Sequence, residues 1–510
     1  KRLSSSVYLF IILCLCGCQQ PTDMPPIDTK ELTIADIHKA YQEGKYNSEQ
    51  LVSAYIATIH QDDKKLNAVS LINSQALAIA RALDAEYKTT GKLRPLHGIP
   101  LIVKDNFNTK GMPTTAGSLA LKDFIADEDA FMVDRLVSAG AIIIAKSNMA
   151  EWAFSAMHTE SSTLGTTRNP YNLEHVPAGS SGGTGAAVAA NFATIGLGTD
   201  TGNSIRGPSS HAALVGFRST LGLTSRSGIV PLYLRNDVAG PMTRTVEDAT
   251  RVLELIAGYD PLDPLTQHAK EKVPSNYQQF LQKDGLKGAR VGVLRELSED
   301  NVDPEIKALF EQALLDMQQL GAIIIDPVTI PDFASLRENQ WCADFKQDVE
   351  DYLATYVKRD GLQTIDDIIK IGSKSKYAEE MLALFADKAG RWEQPEIACE
   401  DPYTDVRRVA FRAAIENKMD ELALDTIVYP TWNNKPAKIA SFEEGYKGDN
   451  NQIIAPHTGQ PAFTVPMGYS SGNLPVGIQF LGRMFDEPTL IKLSYSYEQG
   501  TQHRKPPELH

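Results

Sequence analysis

The chain of 510 residues has few of the residues that build metal sites and disulfide frameworks. It contains 5 cysteines and 10 histidines, and too few of them cluster to form a zinc site. Positive charge is also scarce, because 50 Lys and Arg residues face 64 Asp and Glu residues, a formal net charge of −14. Since phosphate neutralisation dominates nucleic-acid affinity, this acidic balance without a basic tract argues against a dedicated nucleic-acid-binding protein.

Long hydrophobic runs are also missing. The apolar run Val7–Leu15 follows a positively charged start but is shorter than the ~20 residues that span a bilayer. The run ends in Leu15-Cys16-Gly17-Cys18, which resembles a bacterial lipoprotein processing box. We therefore expect a signal peptide over residues 1–17, a lipid on Cys18 and a polar tether over residues 18–30. An ordinary secretory signal or a buried apolar N-terminus is the alternative.

This leader predicts an exported lipoprotein, anchored through Cys18 to a membrane and facing the periplasm. Gln19 after the lipidated cysteine favours the outer membrane. Removal of the leader would leave Cys342 and Cys399 as the remaining thiols besides Cys18. These two cysteines form either a disulfide in an oxidising compartment or two free thiols.

The remainder of the chain alternates helical and strand-like segments. Thr33 is placed to cap a helix, and the apolar run before Lys104 predicts a buried strand that ends at that lysine. A helix over residues 129–138 leads into a second buried strand over 141–145, a pattern typical of parallel strands covered by helices. Further strands are predicted at 425–430, 462–466 and 476–480, and a last helix at about 488–499. Residues from about 260 to 440 read as helical and charged.

The chemistry is concentrated in Lys104 and two serine-containing turns. Glycines around Leu197–Gly202 allow a tight turn whose backbone N–H groups can converge on one developing oxyanion. Ser204 at the end of that turn is placed to act as a nucleophile. Lys104 becomes a base only if burial lowers its pKa. The alternation of a strand turns its neighbour Asp105 to the opposite face.

These residues belong to an ordered set of motifs that resembles the amidase signature family of serine hydrolases. The set comprises Leu66–Val69, His97–Asn106, Gly179–Ser210, Gly240–Asp248 and Pro475–Arg483. The resemblance implies one α/β domain over about residues 31–505, with a large mixed, mostly parallel sheet surrounded by helices. Residues from about 300 to 415 match none of the motifs, and we expect this helical region to line or cap the substrate entrance.

The resemblance also implies a Ser–Ser–Lys triad that needs no metal or organic cofactor. Ser204 would be the nucleophile, Lys104 the general base, and Ser180, at a cis peptide bond, the proton relay between them. The oxyanion hole would consist of the backbone N–H groups of Thr201, Gly202, Asn203 and Ser204. The predicted activity is hydrolysis of a small amide or peptide amide to an acid plus ammonia or an amine.

The sequence departs from the family motif at one position, and three alternative interpretations compete with this one. Asn203 stands where the family usually has glycine, and its side chain occupies space beside the nucleophile. Ser181 also lies at the centre of a G-x-S-x-G sequence and could use His457, but no apolar strand precedes it. The second rival is a glutaminase like the A subunit of glutamyl-tRNA amidotransferase, and the third is a non-catalytic binding protein of the same fold. The sequence predicts no oligomeric state.

Overall fold

The computed structural model describes residues 27–299, 301–342, 344–386 and 398–509. The predicted signal peptide and Cys18 lie outside the described residues. Within them, the strands are β1 (Val69–Ile72), β2 (Pro100–Lys104), β3 (Ile142–Ser147), β4 (Glu160–Ser161), β5 (Gly165–Thr166), β6 (Ile195–Asp200), β7 (Val215–Arg218), β8 (Val238–Thr243), β9 (Arg290–Leu294), β10 (Ile323–Val328), β11 (Thr426–Pro430), β12 (Ala462–Ser470) and β13 (Leu474–Leu481).

Eleven of these strands form one sheet, and β4 pairs with β5 separately. The sheet order is β1-β3-β2-β6-β8-β7-β12-β13-β11-β9-β10. The expected large mixed sheet is confirmed. Contrary to the expectation, the sheet is not mostly parallel, because antiparallel pairs outnumber parallel ones. The four parallel pairs are β3/β2, β2/β6, β11/β9 and β9/β10. The centre of the sheet is antiparallel because β12 and β13 form a hairpin and β8 lies between β6 and β7.

Helices cover this sheet, and their boundaries follow the expected signals. Thr33 caps the first helix in a capping box with Asp36. The described helices are α1 (Ile34–Gln42), α2 (Ser48–Leu66), α3 (Ala76–Thr90), α4 (Phe131–Ser138), α5 (Gly182–Ala189), α6 (Arg206–His211), α7 (Val246–Ile256), α8 (Pro304–Gln319), α9 (Phe333–Leu336), α10 (Phe345–Tyr352), α11 (Ile365–Ile371), α12 (Lys376–Ala386), α13 (Val406–Glu421), α14 (Phe442–Gly445), α15 (Ala455–Thr458) and α16 (Glu487–Thr501). None of the helices in the described ranges is long and apolar enough to cross a membrane.

The central strands are buried throughout, which explains their continuous apolar sequence. Every residue of β2, β3 and β6 is buried, as expected for strands covered on both faces. The two serine-containing turns connect to these strands, because Ser180 precedes α5 and Ser204 lies between β6 and α6. The ends of β2 and β6 thus position the residues that the sequence singled out.

The region that matches no motif is not wholly helical. It contributes strand β10 at the edge of the sheet, next to β9, in addition to its helices. Its helices α10, α11 and α12 form a separate apolar cluster with residues around Phe154. Phe154 and Phe345 of this cluster line the same cavity as Ser204, so the region forms part of the wall of the candidate site.

Candidate active site

Lys104 ends β2 as a fully buried side chain and contacts both neighbouring hydroxyl groups. Its Nζ lies 2.7 Å from Ser180 Oγ and 2.7 Å from Thr199 Oγ1, and all three residues are at most 5% exposed. Asn106 Nδ2 donates to the same Thr199 hydroxyl at 3.1 Å. Lys104 is therefore held at a fixed position beside Ser180.

Burial changes the acidity of this lysine. Removal from water lowers the pKa of Lys104 to about 7, although the negative charges of Asp237 and Asp200 act to raise it. The adjacent Asp105 faces away and pairs with Lys146 at 3.5 Å. Lys104 is therefore substantially neutral near pH 7, as a general base must be.

Glycines bring the Ser180 turn close to neighbouring backbone. The Gly179–Ser180 peptide bond is cis. A Cβ on Gly179 would lie 2.2 Å from His158 O and 2.4 Å from Ser155 O, so no larger residue fits there without a backbone shift. Gly179 N donates to Ala156 O at 3.0 Å, which ties this turn to the 153–157 segment.

The turn that carries Ser204 is organised by a buried carboxylate. Asp200 accepts hydrogen bonds from the backbone N–H groups of Ile205 and Arg206 and pairs with the guanidinium groups of Arg206 and Arg218. Burial acts to raise the pKa of Asp200, but the two arginine charges outweigh it and hold the pKa well below its usual value. Asp200 is therefore ionised at neutral pH and locks both ends of the turn.

The same contacts fix the direction of the peptide groups in this turn. On its buried side, the carbonyl of Asp200 accepts from Arg218, and the carbonyl of Gly202 accepts from Arg206 Nη2 at 2.8 Å. In a planar trans peptide the N–H points opposite to the carbonyl. The N–H groups of Thr201 and Asn203 therefore point away from the arginines, which is the orientation that an oxyanion hole requires.

Ser204 lines an open cavity of about 350 Å³. Thr201, Gly202 and Asn203 share this surface with it. The Ser204 hydroxyl donates to Asn203 Oδ1 at 3.3 Å, whereas Ser180 Oγ accepts a hydrogen bond from Lys104 Nζ. The structure thus gathers the predicted residues Lys104, Ser180 and Ser204 around neighbouring turns, with Ser204 facing the cavity.

One part of the cavity wall is aromatic. Phe154, Phe345 and Phe385 contact one another, with ring centroids 4.9 to 5.2 Å apart. Two of these rings come from the region that matches no motif. The other lining residues are Ala153, Ala156, Met157, Leu232, Tyr233, Trp341, Cys342, Asp344, Tyr377, Tyr446 and Gln452.

A disulfide between Cys342 and Cys399 lies at the edge of this cavity. The structure therefore favours the paired state over two free thiols. Tyr233 contacts this disulfide, because its hydroxyl lies 2.7 Å from Cys342 Sγ and accepts from Cys342 N. Cys342, Cys399 and Asp344 are also the one group of three potential metal donors within the described ranges, but both cysteine sulfurs are already bonded to each other.

Ser181, the serine at the centre of the G-x-S-x-G sequence, has a different environment. Ser181 Oγ donates to the backbone carbonyl of Thr199 at 3.2 Å and so supports β6 from within the protein. His457 is buried against Trp341, with ring centroids 4.9 Å apart, and burial holds its pKa well below the usual value. Neither residue takes part in the contacts that join Lys104 to Ser180.

Two supporting residues were not singled out from the sequence. Thr199 receives hydrogen bonds from Lys104 and Asn106, and it lies in the same motif as Ser204. Asp237 accepts from Thr201 Oγ1 at 2.5 Å and from the N–H groups of Leu232 and Tyr233. The position of Thr199 in this motif was a usable signal, although the structure places it in β6 and not in the predicted turn. Nothing in the sequence links Asp237 to residue 201.

Known proteins resemble this chain over nearly its whole length. The profile of the Amidase family matches residues 50–491. A probable amidase of Arabidopsis thaliana is 36% identical over 494 residues, covering 94% of this chain and 92% of that protein. The A subunit of the glutamyl-tRNA(Gln) amidotransferase of Moorella thermoacetica is 36% identical over 491 residues, covering 94% of this chain and 98% of that protein.

A solved structure shares the fold as well. The native peptide amidase of Stenotrophomonas maltophilia superposes with a TM-score of 0.83 at 35% identity, covering 94% of this chain and 99% of that one. Fold and relatives together define an α/β enzyme that hydrolyses amide bonds. The chain belongs to the Amidase family. The non-catalytic alternative is therefore set aside.

Proposed function

We propose that the protein is a serine amidase that hydrolyses a carboxamide through an acyl-enzyme on Ser204. The observation that carries this proposal is the hydrogen bond between the buried Lys104 and Ser180, which lies beside the Ser204 turn. Burial lowers the pKa of this lysine to about 7. A neutral lysine has a lone pair that can accept a proton, whereas an ammonium group can only donate. Lys104 thus supplies the base that a serine nucleophile needs.

The proton path follows from the contacts of Lys104. Lys104 Nζ donates to both Thr199 and Ser180. In the neutral amine, one N–H can stay on Thr199 while the lone pair accepts the proton of the Ser180 hydroxyl. Ser180 gives its proton to Lys104 and takes the proton of Ser204 as Ser204 Oγ bonds to the carbonyl carbon. The C–N bond then breaks as Ser180 gives a proton to the leaving amine, and Lys104 returns its proton to Ser180. Water hydrolyses the resulting ester by the same path and regenerates Ser204.

The carbonyl oxygen becomes negative when Ser204 attacks. The N–H groups of residues 201–204 are proposed to stabilise it, supported by the carbonyl contacts of Arg206 and Arg218 that turn these groups away from the arginines. Asp200 keeps the two arginines in place. Such preorganised donors act without reorientation during the reaction, and removal of one lowers kcat by about 10² to 10³.

The proposed substrate is a small amide or a peptide amide with an apolar acyl part. The contacting rings of Phe154, Phe345 and Phe385 offer an apolar surface that a buried acyl side chain can cover. Similarity to a peptide amidase supports the same class. Similarity to the A subunit of the amidotransferase favours glutamine instead, and the amide panel described below distinguishes the two substrates.

We also propose that the protein is exported and held at a membrane through Cys18. The leader motif supports this location, and so does the Cys342–Cys399 disulfide, since disulfides persist in oxidising compartments. Labelling of cells with a palmitate analogue is expected to mark the wild-type protein and to fail for Cys18→Ser. Equal labelling of both proteins, or of neither, would contradict the proposal.

The function is tested with a panel of amides and the purified protein. The panel contains a dipeptide amide with a C-terminal phenylalanine amide, benzamide, a short aliphatic amide and glutamine, and the acid product is measured. We expect the fastest turnover with the aromatic peptide amide and none with Ser204→Ala. Preference for glutamine would favour the glutaminase alternative, and turnover by Ser204→Ala would exclude Ser204 as the nucleophile.

Phe345→Ala provides a matched test of the pocket. Phe345 contacts Phe154 and Phe385 and lines the cavity. Its loss is expected to raise KM for the aromatic peptide amide about tenfold, and to change KM for the aliphatic amide little. An equal change for both amides would argue against an acyl pocket at this wall.

A further inference from the structure

The side chain of Asn203 bridges the two serine turns. Its Nδ2 donates to Ala156 O at 3.2 Å, and its Oδ1 accepts from Ser204 Oγ at 3.3 Å. Ala156 O also accepts from Gly179 N, next to Ser180. The Asn203 amide is therefore hydrogen-bonded to the carbonyl that also holds the Ser180 turn, and to the hydroxyl of Ser204.

The Ala156 carbonyl determines which way this amide faces. A carbonyl can only accept a hydrogen bond, so the nitrogen of the Asn203 amide must face Ala156. Its oxygen then faces Ser204, and the Ser204 hydroxyl has to be the donor. The proton of Ser204 thus points to Asn203, whereas proton transfer toward Lys104 requires it to point to Ser180.

Gly207 provides the space that this arrangement needs. A Cβ on Gly207 would lie 2.9 Å from Asn203 Nδ2 and 3.1 Å from Trp432 Cζ3. Any larger residue at 207 would therefore press on the Asn203 amide. Asn203, the position at which the motif departs from the family pattern, thus packs against Gly207 in the structure.

We propose that Asn203 is a positioning residue that holds the Ser204 hydroxyl in a resting orientation. Breaking its hydrogen bond is part of the barrier to acylation. The proposal rests on the proposed role of Ser204 as nucleophile. Because the bond is long for an O–H···O contact, it is weak and readily exchanged for one to Ser180. Asn203 thereby tunes the reactivity of Ser204 without entering the proton path itself.

The test compares variants that remove and strengthen this acceptor. Asn203→Gly removes it and is expected to raise the rate of Ser204 labelling by a fluorophosphonate about two- to tenfold. Asn203→Asp loses the donor to Ala156 O but offers Ser204 a charged acceptor, which binds hydroxyl protons more strongly, and is expected to lower that rate. A purely structural role would lower the rate in both variants, so a decrease or no change in Asn203→Gly would overturn the proposal.

Gly207→Ala supplies a second, independent test. The added methyl group should displace the Asn203 amide and raise the labelling rate in the wild-type background, but have no further effect in Asn203→Gly. Equal effects in both backgrounds would contradict the proposal. Thermal unfolding of each variant confirms that it is folded.

Ser204→Ala separates failure of this inference from failure of the proposed function. If Ser204→Ala still labels at the active site, the role of Ser204 is wrong and both proposals fall. If Ser204→Ala does not label and Asn203→Gly is not faster than wild type, only the resting orientation is wrong.

Discussion

The acidity of Lys104 makes a quantitative prediction for the pH dependence of activity. Its pKa of about 7 means that about half of the lysine is neutral at pH 7 and about 1% at pH 5. If the neutral amine is the base, kcat/KM should therefore fall roughly fiftyfold between pH 7 and pH 5. It should level off above about pH 8. The measurement is kcat/KM for the best amide of the panel between pH 5 and pH 9.

Asp237→Asn tests the assignment of this pH dependence to Lys104. The charge of Asp237 acts to raise the pKa of Lys104, so its removal should shift the acid limb to lower pH. The amide retains an acceptor for Thr201 but loses the charge. An unshifted limb in this variant, or a flat wild-type profile between pH 5 and pH 8, would refute the role of Lys104 as base.

Lys104→Met provides the control for folding. The pKa of Lys104 is depressed from 10.5 to about 7 in the folded state, so between these pH values the unfolded chain keeps a proton that the folded chain has lost. The free energy of unfolding therefore rises with pH in this window, and at pH 7 the buried lysine costs about 4 kcal/mol. Lys104→Met should be inactive yet more stable at pH 7, with a smaller gain at pH 9. Loss of stability would indicate that its inactivity reflects misfolding.

Two further predictions concern the walls of the site. A Cβ on Gly202 would lie 2.0 Å from Gln452 Oε1. Gly202→Ala should therefore lower kcat about tenfold, and adding Gln452→Gly should restore much of the lost kcat. No restoration would mean that the turn itself is distorted. The Cys342–Cys399 disulfide closes a loop with a sequence separation of 57. Replacing both cysteines by serine should therefore lower the free energy of unfolding by about 4 kcal/mol in urea titrations. It should also raise KM, because Cys342 lines the cavity; an unchanged KM would show that the disulfide does not shape the pocket.

The sequence by itself was sufficient for the local chemistry of the site. The glycines around Ser180 and Ser204 predicted tight turns, and the apolar run before Lys104 predicted a strand that ends at the lysine, as β2 does. It was also sufficient for the alternation of helices and strands. These features depend on residues close together in the chain, whose backbone preferences act locally. The large mixed sheet, in contrast, was expected from the family resemblance.

Only the tertiary structure decided which distant groups meet. Lys104 is buried by distant segments and contacts Thr199, and Asp237 accepts a hydrogen bond from Thr201. Both contacts join residues that lie far apart in the chain. The predominance of antiparallel pairs, the disulfide and the aromatic wall with Phe345 likewise arise from packing between separate segments. Long-range packing leaves no periodic signal in a single sequence, because each contact depends on where two independent elements are placed in space.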